Sequence, residues 1–193
     1  MDKKTLEIEN LTAEAKECRK CGLSKFRNNV VFGKGNPSSG ILLVGEAPGY
    51  NEDMRGIPFC GKAGDVLDIL LSSVGMKRED VYITNIIKCR PPQNRDPEPV
   101  EIESCREYLE KQIDIIKPRA IGCLGRHSLR YFLDRFSFNV RGSITTLHGK
   151  VFEHSGDIFS RTKVVALYHP AVAVYDPGKI DVLKNDFRIF AGI

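Results

Sequence analysis

The sequence predicts an α/β protein with a parallel β-sheet that is covered by helices on both faces. Short apolar segments alternate along the chain with segments of helical periodicity, as in successive βαβ units. The apolar segments are continuous runs, which is typical of parallel strands buried on both faces. With 193 residues, 41% of them hydrophobic and 28% charged, the chain is expected to form one domain over residues 1–193.

Four short apolar runs are predicted to be the buried strands of this sheet. They cover residues 41–44, 81–87, 120–124 and 163–167. The stretch that leads into the first run, residues 30–40, is rich in glycine and is expected to be irregular.

Helical patterns occupy most of the intervals between these runs. The first covers residues 63–74, where Val66, Leu67, Leu70 and Leu71 recur at helical spacing. Side chains at this spacing share one face of a helix, so the segment is predicted to pack against the sheet.

The helix predicted over residues 97–117 has clear start signals. Asp96 is the expected N-cap, Pro97 the first helical residue, and Glu98 and Glu101 lie in the opening turn. Acidic side chains at this end of a helix are stabilised by its dipole.

Two further helices are predicted over residues 126–132 and 179–190. Between them, residues 141–160 are expected to form a loop and a short hairpin at the edge of the sheet. The histidines of this half of the chain, His127, His148 and His154, are expected to have surface roles.

The charge of the chain is mildly basic. Its net charge of +4 and pI near 8.7 suit a polyanionic partner without being sufficient to predict one. The basic residues near loops are more informative: Lys88, Arg90 and Arg95 flank a proline-rich loop, and Lys62 lies in a glycine-flanked turn. These side chains are expected to face a phosphate backbone.

No segment of the sequence indicates a membrane or an export signal. No stretch approaches the roughly 18 uninterrupted apolar residues of a membrane span, and no apolar segment follows the opening residues. A cytosolic or nuclear location is therefore expected.

The six cysteines are poor candidates for disulfides in a reducing compartment, so metal binding is the better hypothesis for those with informative spacing. A C-x2-C pair and two distant cysteines provide four thiolates that can bind one metal centre: Cys18, Cys21, Cys89 and Cys105. Spacing alone leaves zinc and iron–sulfur both open. Cys123, within an apolar run, is expected to be a buried thiol, and Cys60 has no predicted role.

The residues that follow the predicted strands contain the most distinctive chemistry. Ligands of open parallel sheets bind beyond the carboxyl ends of the strands. There the chain has the segment Gly45-Glu46-Ala47-Pro48-Gly49, Asn85 and His169. The first can present backbone N–H groups to a developing anion, and a neutral histidine can donate a hydrogen bond to the same charge. Each feature taken singly is more often a structural turn or loop residue, and only their common location favours a binding pocket.

Two further residues can contribute to such a pocket. Phe59 can stack on a base, although a phenylalanine after a proline is more often part of the core. Lys62 lies where a helix begins, and a helix N-terminus can bind a phosphate.

The same residues also form an ordered set of motifs. The set comprises GEAPG at 45–49, Glu52-Asp53, PFCGKAG at 58–64, ITN at 83–85, KCRPPQNRDP at 88–97, Cys105 and HPA at 169–171. In this order and spacing the sequence closely resembles the family 4 uracil-DNA glycosylases, from Cys18 to the C-terminal helix. The resemblance implies a three-layer α/β/α sandwich with a central four-stranded parallel sheet. It also implies a structural [4Fe-4S] cluster on the four cysteines, with zinc as the alternative.

The resemblance implies that the chain flips uracil out of DNA and hydrolyses its N-glycosidic bond, which leaves an abasic site and initiates base excision repair. The implied partner is uracil-containing DNA, single- or double-stranded, and the replication clamp is a further candidate. A monomer that acts in the cytoplasm on the chromosome, without a membrane, is expected.

The resemblance also implies roles for individual residues. His169, Glu46 and Asn85 form the expected catalytic set, and Gly45, Ala47, Glu52 and Phe59 complete the uracil pocket. Phe59 is expected to stack on the base, Asn85 to bind O4 and N3–H, and Glu52 to exclude the methyl group of thymine. His169 and the backbone N–H groups of Glu46 and Ala47 are expected to stabilise O2 of the leaving uracil. The expected DNA contacts are Gly61, Lys62, Arg90, Arg95, Pro170, Ala171 and Val172.

The chain departs from related patterns at two points. Ala47 stands where better-known uracil glycosylases have an aspartate, so Glu46 is the candidate group to orient water. A bulky leucine usually follows the His-Pro pair, whereas this chain has the segment 171–175, and Val172, Val174 and Tyr175 remain alternatives for filling the gap left by a flipped base.

Two other functions remain open from the sequence. The same fold could release hypoxanthine or a mismatched base, or the chain could be a metal-stapled DNA-binding module without base release. Asn85 and Phe59 favour uracil over the first alternative, and salt-sensitive DNA binding without excision would indicate the second.

Overall fold

A computed structural model describes residues 2–154 and 162–193 of the chain. Its centre is a mixed six-stranded sheet with the strand order β1-β3-β2-β4-β6-β5. The strands are β1 (Lys34–Gly35), β2 (Ile41–Gly45), β3 (Tyr82–Asn85), β4 (Ala120–Leu124), β5 (Val151–His154) and β6 (Thr162–Leu167).

The inner and outer strands of the sheet differ in direction. β3, β2, β4 and β6 pair with one another in parallel, whereas β1 and β5 pair antiparallel at the two edges. The α/β class is confirmed. The edge strand β5 lies in the segment predicted to contain an edge hairpin, whereas β1 was not predicted. β1 consists of two exposed residues, and β5 is only partly buried, so neither has the apolar run that marked the inner strands.

Eight α-helices are present in the described part of the chain. They are α1 (Lys3–Lys16), α2 (Tyr50–Arg55), α3 (Lys62–Ser72), α4 (Pro99–Ile116), α5 (Arg126–Arg135), α6 (Ile144–Leu147), α7 (Ala171–Tyr175) and α8 (Ile180–Ala191). Four of these, α3, α4, α5 and α8, correspond to the predicted helices, with ends that differ by several residues at most.

Side chains from the inner strands point alternately to two hydrophobic clusters, one on each face of the sheet. In β2, Leu42 and Val44 belong to the cluster formed with α4 and α5, and Leu43 belongs to the cluster formed with α3 and α8. This is the two-residue period of an extended strand. Helices therefore cover both faces, which leaves the carboxyl ends of the parallel strands open to solvent.

The start of α4 corrects one prediction. The predicted N-cap, Asp96, lies outside the helix, and Glu98 is the N-cap with an extended backbone (φ −77°, ψ 151°). Helical dihedral angles are disfavoured for a residue that precedes a proline, so Pro99 holds Glu98 in this extended conformation. The Glu101 carboxylate then accepts the Glu98 backbone N–H at 2.8 Å and completes a capping box.

Two regions differ from the sequence expectation. Residues 2–16 include the helix α1, which packs on α4 and was not predicted, because its mixed polar sequence has a weak apolar face. In the segment 141–160, the edge strand β5 is present and is preceded by the short helix α6. The rest of the predicted hairpin, residues 155–160, lies outside the described residues.

None of the helices in the described ranges is both long and apolar enough to cross a membrane.

The start of α4 provides a stability test. Glu101 is 7% exposed, accepts the Glu98 N–H and pairs with both terminal nitrogens of Arg95 at 2.9 and 2.7 Å. We expect Glu101→Ala to lower the free energy of unfolding by about 1–2 kcal/mol, because the cap and the ion pair are lost together. Urea denaturation measures this change. Glu103→Ala on the exposed side of α4 is the matched control, and an equal effect of both variants would contradict the assignment.

Candidate functional site

A cavity of about 360 Å³ lies at the carboxyl ends of β2, β3 and β6. Its walls come from the loop after β2, the last residue of β3, the loop before α4 and the residues that follow β6. The lining residues are Glu46, Ala47, Pro48, Gly49, Glu52, Phe59, Ala63, Asn85, Pro91, Asn94, Arg95, Asp96, His169 and Ala171. This is the edge of the sheet at which ligands of open α/β folds bind.

The structure brings together all but one of the residues predicted for the base pocket as lining residues. These are Glu46, Ala47, Glu52, Phe59, Asn85 and His169. The remaining one, Gly45, lies beneath the cavity as the last residue of β2. Several lining residues were not predicted, among them Asn94 and Asp96, because they are brought to the site only by the course of the loop before α4.

The Asn85 side chain is enclosed but has no protein partner among the described residues. Asn85 is 2% exposed and lines the cavity. Its backbone carbonyl accepts a hydrogen bond from the buried Lys88 ammonium at 2.6 Å, which fixes the main chain at this point. Buried amides normally find hydrogen-bond partners, so the free carboxamide is available to a ligand in the cavity.

Gly45 allows this arrangement because it has no side chain. A Cβ atom at this position would overlap Asn85 Oδ1 and would lie 2.8 Å from Phe59 Cζ. The amide and the aromatic ring therefore both rest directly on the backbone of β2. Any larger residue would displace at least one of them into the cavity.

Phe59 is held in place by its backbone as well as by its ring. Its φ angle of +51° is in the left-handed region, which is unusual for an aromatic residue. Arg78 donates to the Phe59 carbonyl oxygen at 2.6 Å, and a Cβ atom on Gly64 would overlap that same oxygen. The Phe59 ring lies 5.5 Å from the His169 ring, centroid to centroid. One wall of the cavity is thus a fixed aromatic surface.

Glu52 fixes the loop after Phe59. Its Oε1 accepts the backbone N–H groups of Cys60 and Gly61 at 2.9 and 3.0 Å. The carboxylate therefore has a structural task at the start of α3 in addition to lining the cavity. Cys60 is half-buried in this loop, and Cys123 is buried in the core as predicted.

His169 is present in one defined tautomer. Its Nδ1 accepts the Ala171 backbone N–H at 3.1 Å, so the neutral ring has its proton on Nε2. Burial lowers the pKa of His169 to about 4, and the negative charge of Glu52 opposes this shift only in part. At neutral pH the side chain is therefore uncharged, with an N–H available at Nε2.

Sequence reasoning missed the residues that support the His169 loop. Asp186, which is buried in α8, pairs with His148 Nδ1 at 3.0 Å and accepts the Tyr168 backbone N–H. The rings of His148 and Tyr168 stack with centroids 4.4 Å apart. His148 is thus a half-buried supporting residue rather than a surface one.

The two other histidines are also half-buried. His127 lies beside Glu46, and His154 packs on Phe136 with centroids 4.4 Å apart. No local signal in the sequence identifies these pairs, because the partners are distant along the chain.

Two expectations for DNA contacts need correction. Lys88 is 1% exposed and donates its ammonium protons to Thr84, Asn85 and Gln112, so it does not face a phosphate backbone. Pro170 is buried, so it shapes the loop instead of presenting a surface.

The other predicted contacts retain at least partly accessible positions. Lys62 and Arg95 are exposed, while Gly61, Arg90, Ala171 and Val172 are partly exposed. The Arg90 guanidinium lies over the Tyr50 ring at 5.2 Å, and its Nε donates to Asn94. Of these residues, Arg95 and Ala171 line the cavity.

The four cysteines of the predicted metal centre line one narrow cavity. Cys18 and Cys21 follow α1, Cys89 follows β3, and Cys105 lies in α4. Arg27 donates to Cys89 Sγ at 3.2 Å and to the Cys18 carbonyl oxygen at 2.9 Å. Burial raises the pKa of the Cys105 thiol to about 11, so ligation by this thiol would require a cation that displaces its proton.

Comparisons with known proteins identify the family of this chain. The family model of the uracil DNA glycosylase superfamily matches residues 32–190. A type-4 uracil-DNA glycosylase of Archaeoglobus fulgidus is 44% identical over 181 residues, which are 94% of this chain and 90% of the relative. The chain belongs to the type-4 uracil-DNA glycosylases.

Other relatives support the same assignment for this glycosylase. A type-4 uracil-DNA glycosylase of Saccharolobus solfataricus is 45% identical over 183 residues, covering 94% of this chain and 83% of the relative. One of Thermotoga maritima is 42% identical over 164 residues, covering 85% and 81%. The family model begins at residue 32 and therefore does not include Cys18 and Cys21. The alignment with the Archaeoglobus fulgidus relative covers 94% of this chain, which is long enough to include both cysteines.

The glycine beneath the pocket allows a direct test of the glycosylase site. In Gly45→Ala, the added methyl group must displace Asn85 or Phe59, so we expect uracil excision to fall by about 100-fold or more. Single-turnover release of uracil from an oligonucleotide measures the rate, and circular dichroism checks folding. Gly192→Ala, whose Cβ would make only ordinary contacts at 3.5 Å, is the control. Equal excision rates for Gly45→Ala and Gly192→Ala would show that displacement of Asn85 or Phe59 does not impair the site.

Proposed function

We propose that the chain flips uracil out of DNA into the cavity at the carboxyl ends of β2, β3 and β6 and hydrolyses its N-glycosidic bond there. This reaction leaves an abasic site and initiates base excision repair inside the cell. The observation that supports this most directly is the Asn85 carboxamide, which is enclosed beside the Phe59 ring and has no partner within the described residues.

Base recognition would depend on Asn85 and Phe59. One donor and one acceptor on the carboxamide match O4 and N3–H of uracil, and the fixed ring provides a surface for stacking. Cytosine presents the opposite pattern at these two positions and would leave buried groups unpaired. Such mismatches reduce reaction rates by about 10⁴-fold or more in favourable cases. Glu52, whose carboxylate is held by the Cys60 and Gly61 N–H groups, would exclude the methyl group of thymine.

Stabilisation of the leaving uracil would come from neutral donors. As the bond to the sugar breaks, negative charge develops on O2 of the base. The Nε2–H of His169 is available for this oxygen, because Nδ1 is already occupied by Ala171. The backbone N–H groups of Glu46 and Ala47 donate to no acceptor within the described residues, so they are available as well. These donors need no proton transfer at the moment of reaction.

Glu46 is the candidate to orient the attacking water. It lines the cavity, and the alanine at position 47 has no group that could serve. Burial raises the pKa of Glu46, which makes its carboxylate a stronger base than an exposed one. Partial exposure of 27% leaves it accessible to a water molecule at the pocket wall.

Contact with DNA would involve the mouth of the cavity. Lys62 at the start of α3, together with Arg90 and Arg95, supplies positive charge for the backbone, and Gly61, Ala171 and Val172 supply close surface. Of the candidates for filling the gap left by the flipped base, Val172 packs against the core, while Tyr175 is 89% exposed at the end of α7. The exposure of Tyr175 favours it for this role.

The metal centre would be a [4Fe-4S] cluster on Cys18, Cys21, Cys89 and Cys105, which serves as a structural link. Four thiols suit zinc or iron–sulfur. Membership of the type-4 family favours the iron–sulfur cluster. Arg27, which donates to Cys89 Sγ, suits the negative charge of such a cluster.

The assignment of the pocket residues predicts separable losses. We expect Asn85→Ala and His169→Ala to retain the visible absorbance of the metal centre and to lose excision by at least about 100-fold, because recognition and charge stabilisation are removed without disturbing the fold. Single-stranded oligonucleotides with one uracil, followed by alkaline cleavage of abasic sites, measure the loss. Tyr168→Phe, which keeps the ring stacked on His148, is the control. Normal excision in either alanine variant would remove that residue from the mechanism.

The same assay separates the alternatives. Oligonucleotides with hypoxanthine or a mismatched base test whether the pocket accepts another substrate. Salt-sensitive binding to DNA with no base release from any of them would indicate a binding module instead of an enzyme.

The identity of the metal predicts a chemical composition. After anaerobic purification we expect about four iron and four sulfide per chain, and loss of both in Cys105→Ser with a large loss of thermal stability, because α4 is no longer linked to the segment after α1. Elemental analysis and sulfide determination measure this. A colourless protein that contains one zinc per chain would overturn the cluster assignment while leaving the thiolate ligands in place.

A further inference from the structure

Three titratable side chains meet at the rim of the cavity. His127 Nε2 lies 3.7 Å from Glu46 Oε2 and 3.3 Å from Asp96 Oδ2. They come from three separate elements: the loop after β2, the loop before α4 and the first turn of α5. Glu46 and Asp96 both line the cavity, whereas His127 lies behind them and does not.

Arg126 completes this cluster and determines its character. Its Nη2 donates to Asp96 Oδ2 at 2.7 Å, and its Nε donates to His127 Nε2 at 2.9 Å. The guanidinium thus lies beside the atoms that would have to coordinate a metal ion, which argues against a cation site here. As an acceptor from Arg126, Nε2 of His127 is unprotonated, and a ring nitrogen in this state can take up a proton.

Once protonated, His127 would have new partners at the same atom. The Nε2–H would face the carboxylates of Asp96 and Glu46, both of which stabilise a positive ring. Asp96 does not cap α4, which begins at Pro99, and its ion pair with Arg126 lies on the surface. Its carboxylate is therefore available to a protonated His127. Protonation would replace the hydrogen bond from Arg126 with one to a carboxylate, so Nε2 has a partner in either state of the imidazole.

Glu46 is the member that would meet the substrate. Burial and the neighbouring Asp96 raise the pKa of Glu46, while His127 and Arg126 oppose that shift. If a neighbouring group takes up the proton as the water attacks, the Glu46 carboxylate need not hold it in this half-buried place. Nε2 of His127 lies 3.7 Å from Glu46 Oε2 and is a neighbouring atom that can accept this proton.

We propose that His127, oriented by Arg126 and Asp96, is a positioning residue that accepts the proton which Glu46 removes from the attacking water. This inference rests on the proposed function and on the role of Glu46 in it. In the reaction, the C1′–N1 bond breaks with its electron pair going to uracil, and the water oxygen bonds to C1′. The proton from water passes to Glu46, then to His127 Nε2, and from there to solvent.

The relay predicts a characteristic pH dependence. Its charged and titratable members are Glu46, Asp96, Arg126 and His127, and it requires the unprotonated carboxylate of Glu46. The single-turnover rate should therefore rise with pH on the acidic side and level off once Glu46 has lost its proton. His127 opposes the rise in the pKa of Glu46 that burial causes, so without His127 the acidic limb should move to higher pH.

The test compares His127→Gln, Glu46→Gln and the double variant in single-turnover excision of uracil from a single-stranded oligonucleotide across pH 4–9. Binding of the same oligonucleotide is measured in parallel. We expect His127→Gln to lower the plateau rate by about 10-fold with unchanged DNA binding, and to move the acidic limb as described. Because the two residues act in one step, the double variant should be no slower than Glu46→Gln alone. Arg130→Gln, exposed on the same helix, is the matched control for the change of surface.

Each outcome has a distinct meaning. A normal rate and pH profile in His127→Gln, or fully additive losses in the double variant, would overturn the relay. If Glu46→Gln retains the full rate while Asn85→Ala does not, the relay fails and uracil excision stands. If the unaltered chain releases no uracil, the proposed function itself fails.

Discussion

The buried ammonium group of Lys88 organises the end of β3, where the cavity lined by Asn85 lies next to the cavity lined by the four cysteines. Lys88 Nζ donates to Thr84 Oγ1 at 2.8 Å, to the Asn85 carbonyl at 2.6 Å and to Gln112 Oε1 at 2.6 Å. Thr84 and Gln112 in turn both donate to the carbonyl oxygen of Phe32, so the network joins β3, α4 and the segment before β1. Burial of an unpaired ammonium would cost several kcal/mol, and three acceptors in a closed shell remove most of this penalty.

The position of this network explains why the site is rigid. Lys88 lies between Asn85, which faces the base cavity, and Cys89, which lines the thiol cavity. Its hydrogen bond to the Asn85 carbonyl fixes the main chain at the strand end, so the carboxamide needs no further support from protein atoms. A residue that the sequence suggested as a DNA contact is thus the internal support for both neighbouring sites.

Much of the architecture could be predicted from the sequence because the inner strands are continuous apolar runs. β4 was predicted with its observed ends, and Asn85 and His169 were expected together because parallel strands end at one edge. The unpredicted parts share one property: they depend on partners that are distant in sequence. The helix α1 packs on α4, which is distant along the chain, and the support of His148 by Asp186 has no local sequence signal. The start of α4 was misplaced because the second of two nearby prolines determines it.

The absence of a side chain at Gly45 limits how this site could change to accept other bases. Asn85 and Phe59 rest on that residue with no intervening side chain, so the pocket has no layer beneath them that could be trimmed to make room. Accommodation of a larger purine would have to come from the rim, where Asn94 and Asp96 belong to a loop that carries two consecutive left-handed residues. Laboratory evolution toward new bases should therefore accumulate substitutions and length changes in that loop, while the strand ends stay as they are.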